Sequence, residues 1–444
     1  MITDRFIIWL WANRSKILLW LGWFSVTLGG AIYFGLPFFT HAEQEYYLPA
    51  PVNPPHHQLQ ENCQVCHEPF NNTQRQEACL SCHAKELKQV NDSHSINKFN
   101  DPRYHTKLQK LDASRCITCH AEHTENSDRH GVTIAGDFCK HCHAEIQLDL
   151  RDHKNFKFDG CQQCHNYHDN TVLYKDFLKK HHHQADTDKQ AALPARNLSN
   201  RYQQPPTYSS EPLNLLQQDS PIDIPLDIKI AEEWENGAHA QAGINCTQCH
   251  HNEGTTAWIK KPSFSVCQQC HKQEYQGFIS GQHGIRLKHD MPALQISEAQ
   301  LPMQANAGEL TLSCSSCHKA HRFSTKHAAV EGCLVCHADQ HSLAYKKSPH
   351  YQLWEAERRG ELKAGQGVSC ASCHLPRLQT ENETWVEHNQ SAHLYPNEKM
   401  LKTVCMACHG VEFSLTALND DTMIKNNFTG EVVDPISGFS LLKK

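Results

Sequence analysis

The sequence predicts a mainly α chain with extensive loop, in which one N-terminal transmembrane helix precedes domains too poor in apolar residues to build an ordinary core. Three observations carry that prediction. Residues 17–39 form an uncharged, largely apolar run of 23 residues. Beyond it, 22 cysteines fall into eleven Cys-x-x-Cys pairs, each followed directly by His, with none left over. Only 39% of all residues are hydrophobic, the membrane run and the cysteines included.

The run from Ile17 to Phe39 is long enough, as a helix, to cross a hydrocarbon core of about 30 Å. Arg5, Arg14 and Lys16 precede it and acidic residues follow soon after, so the positive-inside rule leaves the N-terminus in the cytoplasm and the rest outside. Trp20, Trp23 and Tyr33 suit interfacial positions, and the two tryptophans are equally compatible with lipid-facing bulk. A cleaved signal peptide is the competing reading, with Thr40-His41-Ala42 as a small-residue site. Against it, the run exceeds an h-region of about 7–15 residues, and a second apolar patch, Phe6 to Trp11, precedes it. The expectation is a retained single-pass anchor in a bacterial inner membrane, with the remainder in the periplasm.

The eleven motifs are Cys63–Cys66–His67, Cys79–Cys82–His83, Cys116–Cys119–His120, Cys139–Cys142–His143, Cys161–Cys164–His165, Cys246–Cys249–His250, Cys267–Cys270–His271, Cys314–Cys317–His318, Cys333–Cys336–His337, Cys370–Cys373–His374 and Cys405–Cys408–His409. Cys-x-x-Cys-His is the attachment pattern of c-type haem. The two thiols add across the two vinyl groups of one porphyrin, and the next His becomes the proximal ligand of its iron. Zinc sites and disulfide scaffolds also use paired cysteines, but neither requires the His. His is 34 of 444 residues, so eleven chance occurrences in eleven would be on the order of one in a trillion. Eleven covalently attached haem c groups are the expected cofactors.

Five motifs lie between residues 63 and 165 and six between 246 and 409. The stretch between them includes QQPPTYSSEP, a composition that marks an exposed linker. The predicted organisation is a stub and anchor over 1–40, a pentahaem domain over 41–183, a linker over 184–230 and a hexahaem domain over 231–444. One continuous array with a long surface loop is the alternative. About 37 residues serve each motif, too few for an ordinary core, so the haems themselves are expected to be the core. Little β-structure is expected. Helical periodicity shows only in short pieces, such as Ala78 to Val90 and Tyr351 to Leu362.

Twenty-three histidines remain beyond the proximal eleven, enough to cap the second axial position of every iron. His123, His168 and His321 each sit three residues after a proximal His, in CITCHAEH, CQQCHNYH and CSSCHKAH. Such a ring cannot reach the far side of its own porphyrin, but it can reach a neighbour's iron. His251, His94, His153, His239, His283 and His350 are further distal candidates, and one of His56 and His57 could cap a haem of the first domain. Only Met291, Met303, Met400 and Met423 could serve instead. Bis-histidine ligation and low potentials are therefore expected.

Residues 62–183 resemble the class III multihaem cytochromes of the cytochrome c3 type, through CQVCH, CLSCH, LDASRCITCHAEH, GVTIAGDFCKHCH, RDHKNFKFDGCQQCHNYHDN and a trailing LKKH. That resemblance implies a bis-histidine electron carrier with His94, His123, His153 and His168 as distal ligands. Residues 239–421 are more loosely similar to the C-terminal haem region of the hydroxylamine oxidoreductase-like multihaem enzymes, through CSSCHKAHRFST, CLVCHADQHSLAYKKSPHY, VSCASCH and VCMACHGVEFSLTAL. The chain departs from that group: it has no Cys-x-x-Cys-Lys and no Tyr after Tyr395. Asp339 and His341 are separated by Gln340, where the group places an adjacent Asp-His pair.

Two function classes follow, with a third beside them. The first is an electron conduit, which needs no nucleophile, acid or base. Its partners would be the inner membrane, a quinol-oxidising or other redox membrane protein, and a downstream periplasmic or outer-membrane cytochrome. The second is a terminal oxidoreductase for a small nitrogen or sulfur compound, which needs one open iron; the best candidate is the haem on His318, with Asp339 and His341 nearby. The third is a quinol dehydrogenase with its site near His41 to His57. The net charge of −6 and the lack of a basic block argue against nucleic acid.

Overall fold

A computed structural model describes residues 2–39, 48–68, 76–92, 94–95, 99, 101–102, 105–109, 111–124, 132–133, 138–143, 161, 165, 167–169, 175–181, 183–196, 211–251, 257–394 and 399–431. The protein is mainly α. Among the described residues the one sheet is a two-stranded antiparallel ribbon, β1 (Arg377–Gln379) against β2 (Thr384–Val386), with Leu378 opposite Trp385.

Helix α1 (Ile2–Phe39) is 38 residues long. Its stretch Asn13–Phe34 has a mean hydropathy of 1.7 and buries nothing against the rest of the chain. It is long and apolar enough to cross a membrane. Trp20 and Trp23 meet edge to face at 5.6 Å along one side, and the Arg14 guanidinium lies 5.1 Å from the Trp11 ring.

The remaining helices are short. Helix α2 (Gln76–Gln89) carries the second motif, with Glu77 in its first turn and Lys88 in its last, the signs its dipole favours. Helix α3 is Lys175–His181. Helix α4 (Ile228–Glu235) is capped by Asp227, whose carboxylate accepts from Lys229 N at 2.8 Å, and it buries Ala231 and Trp234 at i, i+3. Helix α5 (Pro349–Arg358) starts at a buried Ser348 cap with Pro349 in its first turn. Helix α6 (Val411–Asn419) buries Val411, Leu415 and Leu418 against Met400, Leu401 and Phe177 of α3. A second small apolar cluster joins Leu294, Ile296, Ala307 and Leu312. Most motif segments are single turns of three to five residues, below the length at which a helix holds itself together; the long-range contacts around them must do so.

The connector is not a free tether where it is described. Asp188 N donates to Cys408 O at 2.8 Å, Leu193 N to Gly365 O at 2.7 Å and Arg377 Nη1 to Pro194 O at 2.6 Å. Gly365 has φ +90°, and a Cβ there would strike the Leu193 carbonyl, so this docking requires glycine. At the other end, Leu213 N donates to Ala240 O at 2.9 Å and Asn245 Nδ2 to Gln217 O at 2.7 Å. In the described stretches it is the connector's backbone N–H and C=O groups that lie along the second cluster.

A second seam joins the two motif clusters directly. The buried Arg286 donates to Pro292 O at 2.9 Å and to Glu61 Oε2 at 3.1 Å. Beside it, Gln282 Nε2 reaches Pro55 O at 3.5 Å.

Candidate metal centres: facing histidine pairs

Each motif is built locally. The backbone N–H of the motif His donates to the carbonyl of the first Cys four residues back, at 2.8 Å for His67, 2.9 Å for His120, 3.0 Å for His250 and 2.8 Å for His409. One such turn puts both thiols and the imidazole on the same side of the backbone.

Among the described residues, ten motif histidines face a second histidine. The ring centres are 6.0 Å apart for His83 and His56, 6.1 Å for His67 and His123, 6.3 Å for His120 and His168, and 6.1 Å for His143 and His94. In the second cluster they are 5.9 Å for His250 and His321, 6.0 Å for His271 and His239, 6.3 Å for His318 and His388, 6.2 Å for His337 and His283, 6.0 Å for His374 and His341, and 6.2 Å for His409 and His350. Rings in true contact sit closer, as Trp258 does on His250 at 4.4 Å. Two imidazoles bound on opposite sides of one metal, each by a nitrogen about 2 Å away, hold their centres about 6 Å apart.

The donor set is informative too. Among the described residues no group of three or more His, Cys, Asp or Glu could hold a bare ion. Paired imidazoles with two thiols alongside fit a metal whose other four positions come from a macrocycle. Burial, with the facing ring second, lowers His283, His318, His350 and His374 to about 4, so these rings are neutral and available as ligands. Burial likewise pushes the Cys317 and Cys373 thiols up to about 12.

Of the distal candidates, His94, His123, His168, His239, His283, His321 and His350 all stand opposite a motif histidine. His153 and Cys164 lie outside the described residues. His123 and His321 have φ of 54° and 66°. That left-handed turn, uncommon for a residue with a Cβ, swings each ring off its own motif: His123 faces His67 and His321 faces His250, not the histidines three residues before them.

Three placements add to the sequence reading. His251 stands edge-on to Trp258 at 6.2 Å, and its Nε2 is buried without a hydrogen-bond partner. The place opposite His250 belongs to His321. His388, which no sequence signal singled out, stands opposite His318; the ribbon positions it, with its Nδ1 donating to Val386 O at 2.9 Å. His341 faces His374, and Asp339 caps the helix Gln340–Ala344 with its carboxylate 3.7 Å from His337 Nδ1. Burial raises the Asp339 carboxyl, but His337 and Ser342 outweigh that and hold it below the usual carboxylate range. His318, Asp339 and His341 therefore each belong to a different histidine pair. Of His56 and His57, the first is the one facing a motif.

Neighbouring sites touch through their thiols. Cys79 lies within hydrogen-bonding reach of Cys116, Cys267 of Cys314 and Cys333 of Cys370. Cys249 feels the charges of Cys267 and Cys270, Cys317 those of Cys333 and Cys336, and Cys373 those of Cys405 and Cys408. The six sites of the second cluster thus follow one another in sequence order. No known family model matches this sequence, and no curated protein matches it.

Proposed function

We propose that this chain is a membrane-anchored, exported electron-transfer protein carrying eleven haem c groups. The observation that supports this best is the set of ten facing histidine pairs, each combining the His of a Cys-x-x-Cys-His turn with a second histidine. When bound, haem supplies a one-electron couple. The chain's own part is to attach the ring by two thiols, hold both axial imidazoles neutral, and set the spacing between sites.

Two facing histidines at ten of the eleven motifs favour a conduit over a reductase, because substrate chemistry needs an open position. The pairing of His318 with His388, and of His341 with His374, counts against the best candidate for such a position. The thiol-to-thiol neighbours along the second cluster favour a continuous row, since electrons cross fastest where ring edges are close. With α1 in the inner membrane and the rest in the periplasm, electrons would come from a quinol-oxidising or other redox membrane protein. They would leave to a second periplasmic or outer-membrane cytochrome.

Low-temperature EPR of the oxidised protein, before and after adding nitrite or hydroxylamine, tests the reading. Low-spin signals unmoved by either compound are expected. A high-spin signal that shifts with the small molecule would replace the conduit by a terminal oxidoreductase.

A further inference from the structure

We propose that Glu86 and Glu122 are tuning residues that hold the iron between His56 and His83 at a lower potential than irons whose imidazoles donate to backbone carbonyls. The inference rests on the haem reading above. His56 Nδ1 meets Glu122 Oε1 at 2.6 Å, and His83 Nδ1 meets Glu86 Oε2 at 3.0 Å. Both axial rings of this pair therefore have a carboxylate behind them. Two other paired rings have a carboxylate near Nδ1, Asp92 at 3.2 Å from His168 and Asp339 at 3.7 Å from His337, but in neither pair is one seen behind both rings. Further acceptors are carbonyls: Ile259 O for His250 at 2.7 Å, Val386 O for His388 at 2.9 Å and Asp186 O for His409 at 2.9 Å.

The physical consequence is directional. A carboxylate accepting from Nδ1 draws the proton away and gives the ring imidazolate character. The ring becomes a stronger donor, the ferric state gains more than the ferrous, and the potential falls. The two carboxylates are not equal. Glu122 is 15% exposed and also accepts from Asn53 N at 3.3 Å, so it is fixed and poorly screened. Glu86 is 38% exposed and shares its charge with Lys399, 4.0 Å away across the seam.

Site 1 supplies the contrast. His67 Nδ1 is buried with no hydrogen-bond partner among the described residues, and His123 Nδ1 has only Ala50 O, at 3.2 Å. The two sites are neighbours, since the Cys66 thiol feels the charges of Cys79 and Cys82. A step in potential is therefore built between adjacent sites near the anchor end. The segment CITCHAEH makes it: His120 faces His168, Glu122 tunes the His56–His83 pair, and His123 caps the His67 site.

The test is a potentiometric titration of the full, haem-loaded protein, followed by visible absorption and EPR. Glu122→Gln keeps a carbonyl acceptor at the same place and removes the charge. It is expected to raise the potential of the His56–His83 iron most, changing its oxidised-to-reduced ratio at fixed potential about tenfold, which is 59 mV for one electron. It should raise that of the adjacent His67–His123 iron less, since Cys66 and His123 also feel the Glu122 charge. Glu86→Gln should act in the same direction and less. Lys399→Gln, which touches Glu86 and not a proposed ligand, should lower the potential of the His56–His83 iron, a reversal that a purely structural role would not give. Unchanged potentials in Glu122→Gln and Lys399→Gln, with low-spin signals intact, would overturn the tuning role. Should Glu122→Gln fail to load haem, the sign of the Lys399→Gln shift decides by itself. A wild-type protein with no low-spin haem signal would instead overturn the parent reading.

Discussion

Replacing His388 by alanine is expected to open one iron and only one. The ring centre of His388 lies 6.3 Å from that of His318, and no other histidine pairs with His318 among the described residues. Its loss also leaves Val386 O without the donor at 2.9 Å, a cost of about 1 kcal/mol. That is small against a typical stability of roughly 5–15 kcal/mol, and Cys314, Cys317 and His318 still hold the group. One part in eleven of the total haem should therefore turn high-spin, and imidazole in the buffer should restore it. EPR spin quantitation reads both effects. His327→Ala is the control: no facing ring is seen opposite it among the described residues, so no high-spin signal should appear. An all-low-spin His388→Ala would refute the pairing.

Three further outcomes are expected. Arg286→Met should lower stability by about 2 kcal/mol, less than a fully buried pair because Glu61 is 32% exposed; a thermal melt measures it. Gly365→Ala, at φ +90° against Leu193, should cost about 1–3 kcal/mol, and hydrogen exchange should rise in residues 184–196 first. Removing residues 1–39 while supplying a cleavable export signal should move the haem protein from the membrane fraction to the soluble one without changing its visible spectrum. A truncated protein still in the membrane fraction would mean that α1 is not the anchor.

What was legible beforehand followed from how local each feature is. The motif turns close within five residues, so Cys-x-x-Cys-His needs no tertiary information to put two thiols and an imidazole on one side. The apolar run of α1 is likewise a property of composition, since a helix satisfies its own backbone wherever it lies. His123, His168 and His321 could be singled out because each follows a motif by three residues. His251 satisfied the same proximity argument, and it points away from its neighbour His250, since adjacent residues on one turn point in different directions.

By itself, then, the sequence determined the eleven Cys-x-x-Cys-His motifs, the apolar helix and the shortage of ordinary core. Tertiary structure alone decided which histidine stands opposite which. His318 and His388 are seventy residues apart in the chain, and nothing near His388 announces it; the β1–β2 ribbon brings it there. Folding also decided that the described ends of the connector dock on the second cluster, and that carboxylates back both rings of the His56–His83 pair. The physical reason is common to all three. A ring across a metal, an acceptor behind a ring and a docked backbone are each a meeting of two distant segments, and sequence spacing carries no record of that distance.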